Sequence, residues 1–341
     1  MRISWNWLNT LIDLDGLTPR EVADVLTSTG LEVESVEALE PVKGMLAGVV
    51  VGHVVECAKH PDADRLSVTR VDVGQGEHLQ IVCGAPNVAE GQKVLVALVG
   101  TTLYMSDGNS IVIKKSKIRG IDSHGMICAE DELGLGQSHA GIMVLDAMSR
   151  IGAPAAEVLG LRADQLFEIG LTPNRADAMS HLGVARDLAV ALRYRTGREV
   201  SARVPDVSAF AKDDDARRVS VDVQAPHAAP RYAGLTLTNV KVGPSPEWLR
   251  ERLNSIGIKP INNVVDITNY VQHELGQPLH AFDADRIAED KIIVRYMPTG
   301  TAFVSLDGKE RKLDGEDLMI TDPNGPLCIA GVFGGLESGV T

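Results

Sequence analysis

The chain has 341 residues, more than one ordinary domain carries, and this predicts two or three. Its 44% apolar and 23% charged residues can fill a packed core, excluding disorder as the main state, and 4% aromatics exclude an extended base-stacking platform. Thirty-three Lys and Arg against 46 Asp and Glu leave a net charge of −13, whose far field repels phosphates, so any nucleic-acid contact must be local or shared with a partner.

The opening residues Met1 to Leu8 carry one cation and meet Asp13 and Asp15 before an apolar stretch develops, so they are not a signal peptide. No run approaches the roughly 18 apolar residues of a membrane span, and the expectation is a cytoplasmic protein without a membrane segment. A short apolar strip (Trp5, Leu8, Leu11, Ile12) precedes a helix that starts on a capping box, with Thr18 at the N-cap, Pro19 at the first helical position and Glu21 three residues on. Val22, Val25 and Leu26 lie on one face, and Gly30 ends the helix. So short a helix cannot stand alone and must pack on another part of the chain.

From about residue 45 to 146 short β-rich runs alternate with turn clusters. The runs are Val49–Val55, Leu66–Val73, Leu79–Val82, Lys93–Leu98, Ile111–Ile113 and Gly141–Leu145. Strands at this spacing predict a small β-barrel. Ser180 then caps a helix that runs to Gly197, and the polar stretch 198–216, with Pro205 and Asp213 to Asp215, reads as a linker. Beyond it, Val219–Val223 and Tyr232–Val240 read as strands. Ser245 with Pro246 starts one helix that stops at Gly257, and a second runs from about Val264 to Leu275 and stops at Gly276. Lys291–Met297, Ala302–Leu306 and Leu318–Thr321 follow as strands, with a hairpin turn at Asp307 and Gly308. Cys328–Gly335 reads as a buried strand entering a glycine turn, and a chain that stops just beyond it is expected to be a fragment.

The four cysteines, Cys57, Cys83, Cys128 and Cys328, are scattered singly, so neither a zinc knuckle nor a redox pair is supported and reduced thiols are expected. His53 and His60 lack a third ligand at metal spacing, which favours a turn role for His60-Pro61-Asp62. Lys114, Lys115, Lys117 and Arg119 form the one cation cluster dense enough to meet phosphates; the alternative is a solvated strand face offset by Glu130, Asp131 and Glu132.

Four separated blocks carry a resemblance: His60 to Leu66, Val71 to Gly74, Ile81 to Asn87 and Lys117 to Ala129. Together they resemble the tRNA-binding OB-fold domain appended to several aminoacyl-tRNA synthetases. Further on, Pro230 to Gly234, Ile261 to Tyr270, Glu274 to Asp283 and Gly331 to Gly335 follow in order. With Ile3 to Leu8 and Leu171 to Asp177 they are similar to the bacterial phenylalanyl-tRNA synthetase β chains, in their N-terminal portion and the B3/B4 region that bears the editing site.

The resemblance implies an α+β multidomain chain. Residues 1–39 and 150–200 would form one discontinuous α+β domain, 40–149 an OB-fold insert, 201–216 a linker and 217–341 an incomplete B3/B4 editing domain. It implies a part of phenylalanine–tRNA ligase that supports aminoacylation of tRNA(Phe) in an α2β2 enzyme. ATP and Mg²⁺ would serve the α chain, with no cofactor in this chain and no G-x-x-x-x-G-K phosphate loop in it. The chain would also carry most of the pocket that hydrolyses mischarged Tyr-tRNA(Phe), since an apolar pocket rejects an added hydroxyl by only about a hundredfold. Thr268, Asn269, Pro278 and His280 match the pocket wall and its histidine, and Gly334 and Gly335 match a glycine turn where a missing Cβ admits ligand to backbone amides. With no Ser-His-Asp nucleophile in view, the expectation is water attack on the ester, His280 positioning the water and the substrate. The bland reading of His280 is a connector bonded to Asp283 or Asp285. The family's hydroxyl-recognising glutamate would fall beyond Thr341, Glu337 lies too close to the turn to replace it, and the chain alone is expected not to edit. The rival readings are a tRNA-binding or scaffold module with no catalysis of its own and, more remotely, a metal-dependent hydrolase.

Overall fold

A computed structural model describes residues 1–340. The chain divides into two compact units, one made of Met1–Glu37 and the chain from Gln165 on, the other of Ala38–Asp164.

The first unit begins with strand Arg2–Ser4 and helix α1, Trp5–Leu11. The strip that reads as a plain apolar stretch is helical: the Ser4 side chain accepts the Trp7 N–H at 3.0 Å, and Trp7, Leu8 and Leu11 share the buried face. Helix α2, Pro19–Ser28, has both halves of its capping box, the Glu21 N–H on Thr18 Oγ1 at 3.3 Å and the Thr18 N–H on Glu21 Oε2 at 2.7 Å. It packs on residues far along the chain. Arg2–Ser4 pairs antiparallel with Asp164–Gly170 in a three-stranded sheet, and Ile3, Leu8, Leu26, Phe167 and Leu188 meet in one core.

The second unit is built on a six-stranded, nearly closed sheet. Its order is Met126–Ile127, Lys93–Ala97, Val49–His60, Ala63–Asp72, Leu79–Cys83, with Val144–Leu145 also on Lys93–Ala97. Two apolar clusters fill it, one around Val51, Leu95 and Leu133, the other around Val54, Ile81 and Val96. Gly52 has no room for a side chain, since a Cβ there would stand 2.6 Å from both Val71 and Val96. His60 is buried with a turn role: Nδ1 accepts the Asp62 N–H at 3.0 Å and Nε2 lies 3.3 Å from the Ile118 carbonyl. A single helical turn, α3 (Ala155–Val158), closes the unit.

Back in the first unit, α4 (His181–Thr196) starts on Ser180 and ends at Gly197, whose φ of +67° is left-handed. Helices α5 (Glu247–Ser255) and α6 (Asn263–Leu275) pack together, and α4 packs on α6. The sheet beside them runs Ser220–Val223, Lys291–Tyr296, Leu318–Thr321, Pro326–Ile329, Phe333–Gly334, its first pair parallel and the rest antiparallel.

Three expectations need correction. Tyr232–Val240 makes no ladder and leaves Leu235 and Leu237 exposed, because an alternating pattern becomes a strand only where a neighbour takes its backbone bonds. Ser245 does not cap α5. Its hydroxyl is committed to the buried carboxylate of Asp266, and Pro246 holds the cap position without a side-chain bond. The buried run Cys328–Gly335 is interrupted: the strand stops at Ile329, Gly331 turns at φ +71°, and Val332 faces solvent.

Candidate functional site

Helix α6 starts on Asn262, whose side chain accepts the N–H groups of Val264 and Val265 at 3.1 and 3.0 Å. Asp266 is fully buried and accepts the Ile261 N–H at 2.8 Å as well as the Ser245 hydroxyl, which ties the first turn of α6 to the loop before α5. Thr268 and Asn269 lie half-buried in mid-helix. The Thr268 hydroxyl is turned back onto the Val265 carbonyl at 2.7 Å, and no hydrogen bond among the described residues links this pair to His280. Gly276 ends the helix at φ +80°, and the chain runs exposed through Pro278 to His280.

His280 and Gly334 are brought into direct contact. A Cβ at 334 would stand 2.7 Å from His280 Cε1 and 2.8 Å from Leu306 Cδ1, so a larger residue would force the imidazole to shift. A Cβ at 335 would stand 2.6 Å from the Leu327 carbonyl oxygen. The glycines make room for protein atoms, and the Gly335 N–H donates to Leu327 O at 2.8 Å.

The His280 ring lies 4.4 Å from that of Phe282, and partial desolvation by its neighbours pushes its pKa below the ordinary 6.5. The shift favours the neutral ring. It does not bond Asp283 or Asp285, since Asp283 caps Asp285 and pairs with Arg286, while Asp285 pairs with Arg217 at 2.6 Å. The ring nitrogens carry no hydrogen bond among the described residues, and an edge left free on an exposed residue can hold a water. The nearby hydroxyls are committed. Ser305 donates to Asp307 at 2.5 Å and accepts from Arg311 at 2.8 Å, and Ser338 donates to Leu327 O at 2.8 Å.

Lys117 and Arg119 ride on the hairpin Ser116–Ile118/Ile121–Ser123, just after Lys114 and Lys115, and Arg119 (φ +48°) and Gly120 (φ +89°) form its two-residue turn with both angles positive. All four cations are exposed, Lys115 partly neutralised by Asp122 at 3.7 Å. Beside the hairpin lies a groove of about 640 Å³ walled by Cys83–Pro86, Ile111–Lys114, Ser116 and His139. Of the four cations only Lys114 lines it. Sequence reading missed His139 and Ser116, which carry no local signal for a groove. Two thiols are held protonated: burial pushes Cys128 up to about 12 and Cys328 up to about 11.

Two family models match, "Putative tRNA binding domain" over residues 49–154 and "B3/4 domain" over 228–341. Two curated relatives match all of this chain: the phenylalanine–tRNA ligase beta subunit of Porphyromonas gingivalis, 54% identical over 342 residues, and that of Geobacillus kaustophilus, 48% identical over 347. The chain is thus a homologue of phenylalanine–tRNA ligase beta subunits along its whole length. It spans 41% of the length of either relative. Among solved structures, the C-terminal domain of Plasmodium vivax p43 aligns at 26% identity and a TM-score of 0.23, over 30% of this chain and 56% of that one. No helix among the described residues is long and apolar enough to cross a membrane.

Proposed function

We propose that this chain serves as the N-terminal part of a phenylalanine–tRNA ligase beta subunit, supporting tRNA(Phe) aminoacylation beside an alpha chain in an α2β2 enzyme. Residues 1–39 and 150–200 act as a discontinuous N-terminal domain, 40–149 as an OB-fold domain that meets tRNA through Lys114, Lys115, Lys117 and Arg119, and 217–341 as the B3/B4 editing region. ATP and Mg²⁺ belong to the alpha chain in this reading. Among the described residues no three His, Cys, Asp or Glu side chains converge.

In the editing region the bond to be broken is the ester between tyrosine and the terminal ribose of a mischarged tRNA. A water attacks the carbonyl carbon, the carbon–oxygen bond to the ribose breaks, and tyrosine and tRNA leave. His280, with free ring nitrogens, positions that water and the substrate, and the water's proton passes to the departing ribose oxygen. Thr268, Asn269 and Pro278 form the wall that receives the amino acid. Identity of about half along the entire chain carries this reading, supported by the imidazole seated on Gly334.

Titrating the isotope-labelled chain with tyrosine tests it. Amide shifts at Thr268, Asn269, His280, Gly334 and Gly335 are expected, absent in His280→Ala and weaker with phenylalanine. Equal response to both amino acids, or shifts confined to other residues, would overturn the assignment.

A further inference from the structure

The opening motif around Trp7 has no part in the function proposed above, yet its indole is the centre of a buried polar cluster in the first unit. Trp7 has no exposed surface. It stacks on the imidazole of His181 at 4.0 Å between centroids and on the ring of Tyr270 at 4.9 Å, nearly parallel to both. The guanidinium of Arg252 lies 5.7 Å from the Trp7 ring and 5.6 Å from the Tyr270 ring. Hydrogen bonds then run through the stack. Arg252 Nη1 donates to the Tyr270 hydroxyl at 2.7 Å, and that hydroxyl donates to Glu274 Oε1 at 2.5 Å. Trp7 Nε1 donates to the same carboxylate oxygen at 3.4 Å. His181 is a second bridge, its Nε2 accepting the Ser4 N–H at 3.1 Å and its Nδ1 donating to the His273 carbonyl at 2.8 Å.

These contacts fall on one face of α6. Tyr270, His273 and Glu274 stand at i, i+3 and i+4, while Thr268 points roughly 200° away from Tyr270, on the far side. At the end of the helix Gly276 rests on α4's cap, where a Cβ would stand 3.5 Å from Ser180 and 3.7 Å from the Met179 carbonyl. Two residues later comes Pro278, and four later His280. An apolar seam would hold α6 in place but leave its roll about the axis loosely set. A buried carboxylate and a buried imidazole, costly to desolvate, are satisfied in one orientation only.

We propose that Trp7, His181 and the Arg252–Tyr270–Glu274 relay are positioning residues that fix the roll of α6 and the exit of the chain toward His280. The N-terminal segment and α4 thereby set the geometry of the candidate hydrolytic site without touching it. The functional meaning of the clamp rests on the reading proposed above; the clamp itself can be read without any ligand.

The test uses the whole 341-residue chain. Tyr270→Phe keeps the ring stack and removes the hydroxyl between Arg252 and Glu274; Trp7→Phe keeps an aromatic ring and removes the indole donor. Each should speed amide exchange in the last turns of α6 by about tenfold, with strand Lys291–Tyr296 as an unchanged internal control. Each should also move the Thr268 amide and His280 Cε1–H resonances, a displacement that loss of stability alone does not produce. Glu274→Gln, whose amide oxygen can still accept both donors, should restore wild-type positions. Wild-type resonances for Thr268 and His280 in both Phe variants would overturn the proposal, as would equal loss of protection in the control strand. Tyrosine titration of the same samples separates the two readings. Wild-type chain that ignores tyrosine sinks the editing assignment, and a clamp intact by exchange stands regardless.

Discussion

Gly334 shows how much one missing Cβ decides. Alanine there would drive a methyl into His280 Cε1 and Leu306 Cδ1, ends of exposed side chains, so the clash is relieved by dislodging the imidazole, at a cost of about 1 kcal/mol. Gly334→Ala is therefore expected to lower the melting temperature and shift the His280 ring resonances together, in a thermal melt paired with an NMR spectrum. His181 makes a second prediction, in pH. Burial holds its pKa down to about 3 against an ordinary 6.5, so the unfolded chain binds a proton at pH values where the folded chain does not. Its contribution to stability is complete above about 6.5 and is lost as pH falls toward 3, at up to about 1.4 kcal/mol per unit. Urea titrations between pH 7 and 4 should show that decline, and His181→Gln should flatten it. Nothing in the sequence marks His181 as buried: its neighbours in the stack, Trp7 and Tyr270, are 174 and 89 positions away.

At the level of elements, local chemistry was readable and borrowed chemistry was not. The capping box of α2 is complete within four residues, and the structure has both of its bonds. Thr18→Ala should accordingly cost about 1 kcal/mol in a denaturant titration, with the slope unchanged. Ser245 carries the same kind of signal before α5 and does something else, because Asp266, 21 residues on, competes for its hydroxyl and wins by burial. Tyr232–Val240 alternates like a strand and pairs with nothing, since alternation states which faces a strand would have and not whether a partner exists. The imidazole at 280 follows the same rule: its motif was visible, but its freedom from Asp283 and Asp285 depended on Arg286 and Arg217 occupying those carboxylates.

Across the whole molecule, the unit Ala38–Asp164 is spliced into a chain whose two flanks share one sheet and one core. Replacing it by a short Gly/Ser linker should leave the remainder cooperatively folded, with the Trp7 indole signal in its wild-type place; a melt that loses cooperativity would show that the flanks depend on the insert. Sequence alone determined most helix starts and stops, the strand-rich middle and the resemblance to a family, because periodicity, caps and ordered motif blocks are written in neighbouring residues. Tertiary structure alone decided what each polar group is bonded to. Glu274 and His181 became a clamp, Ser245 a partner for Asp266, and Gly334 a seat for an imidazole, since a hydrogen bond or a steric limit depends on distance in space, which the folded chain sets between residues remote along it.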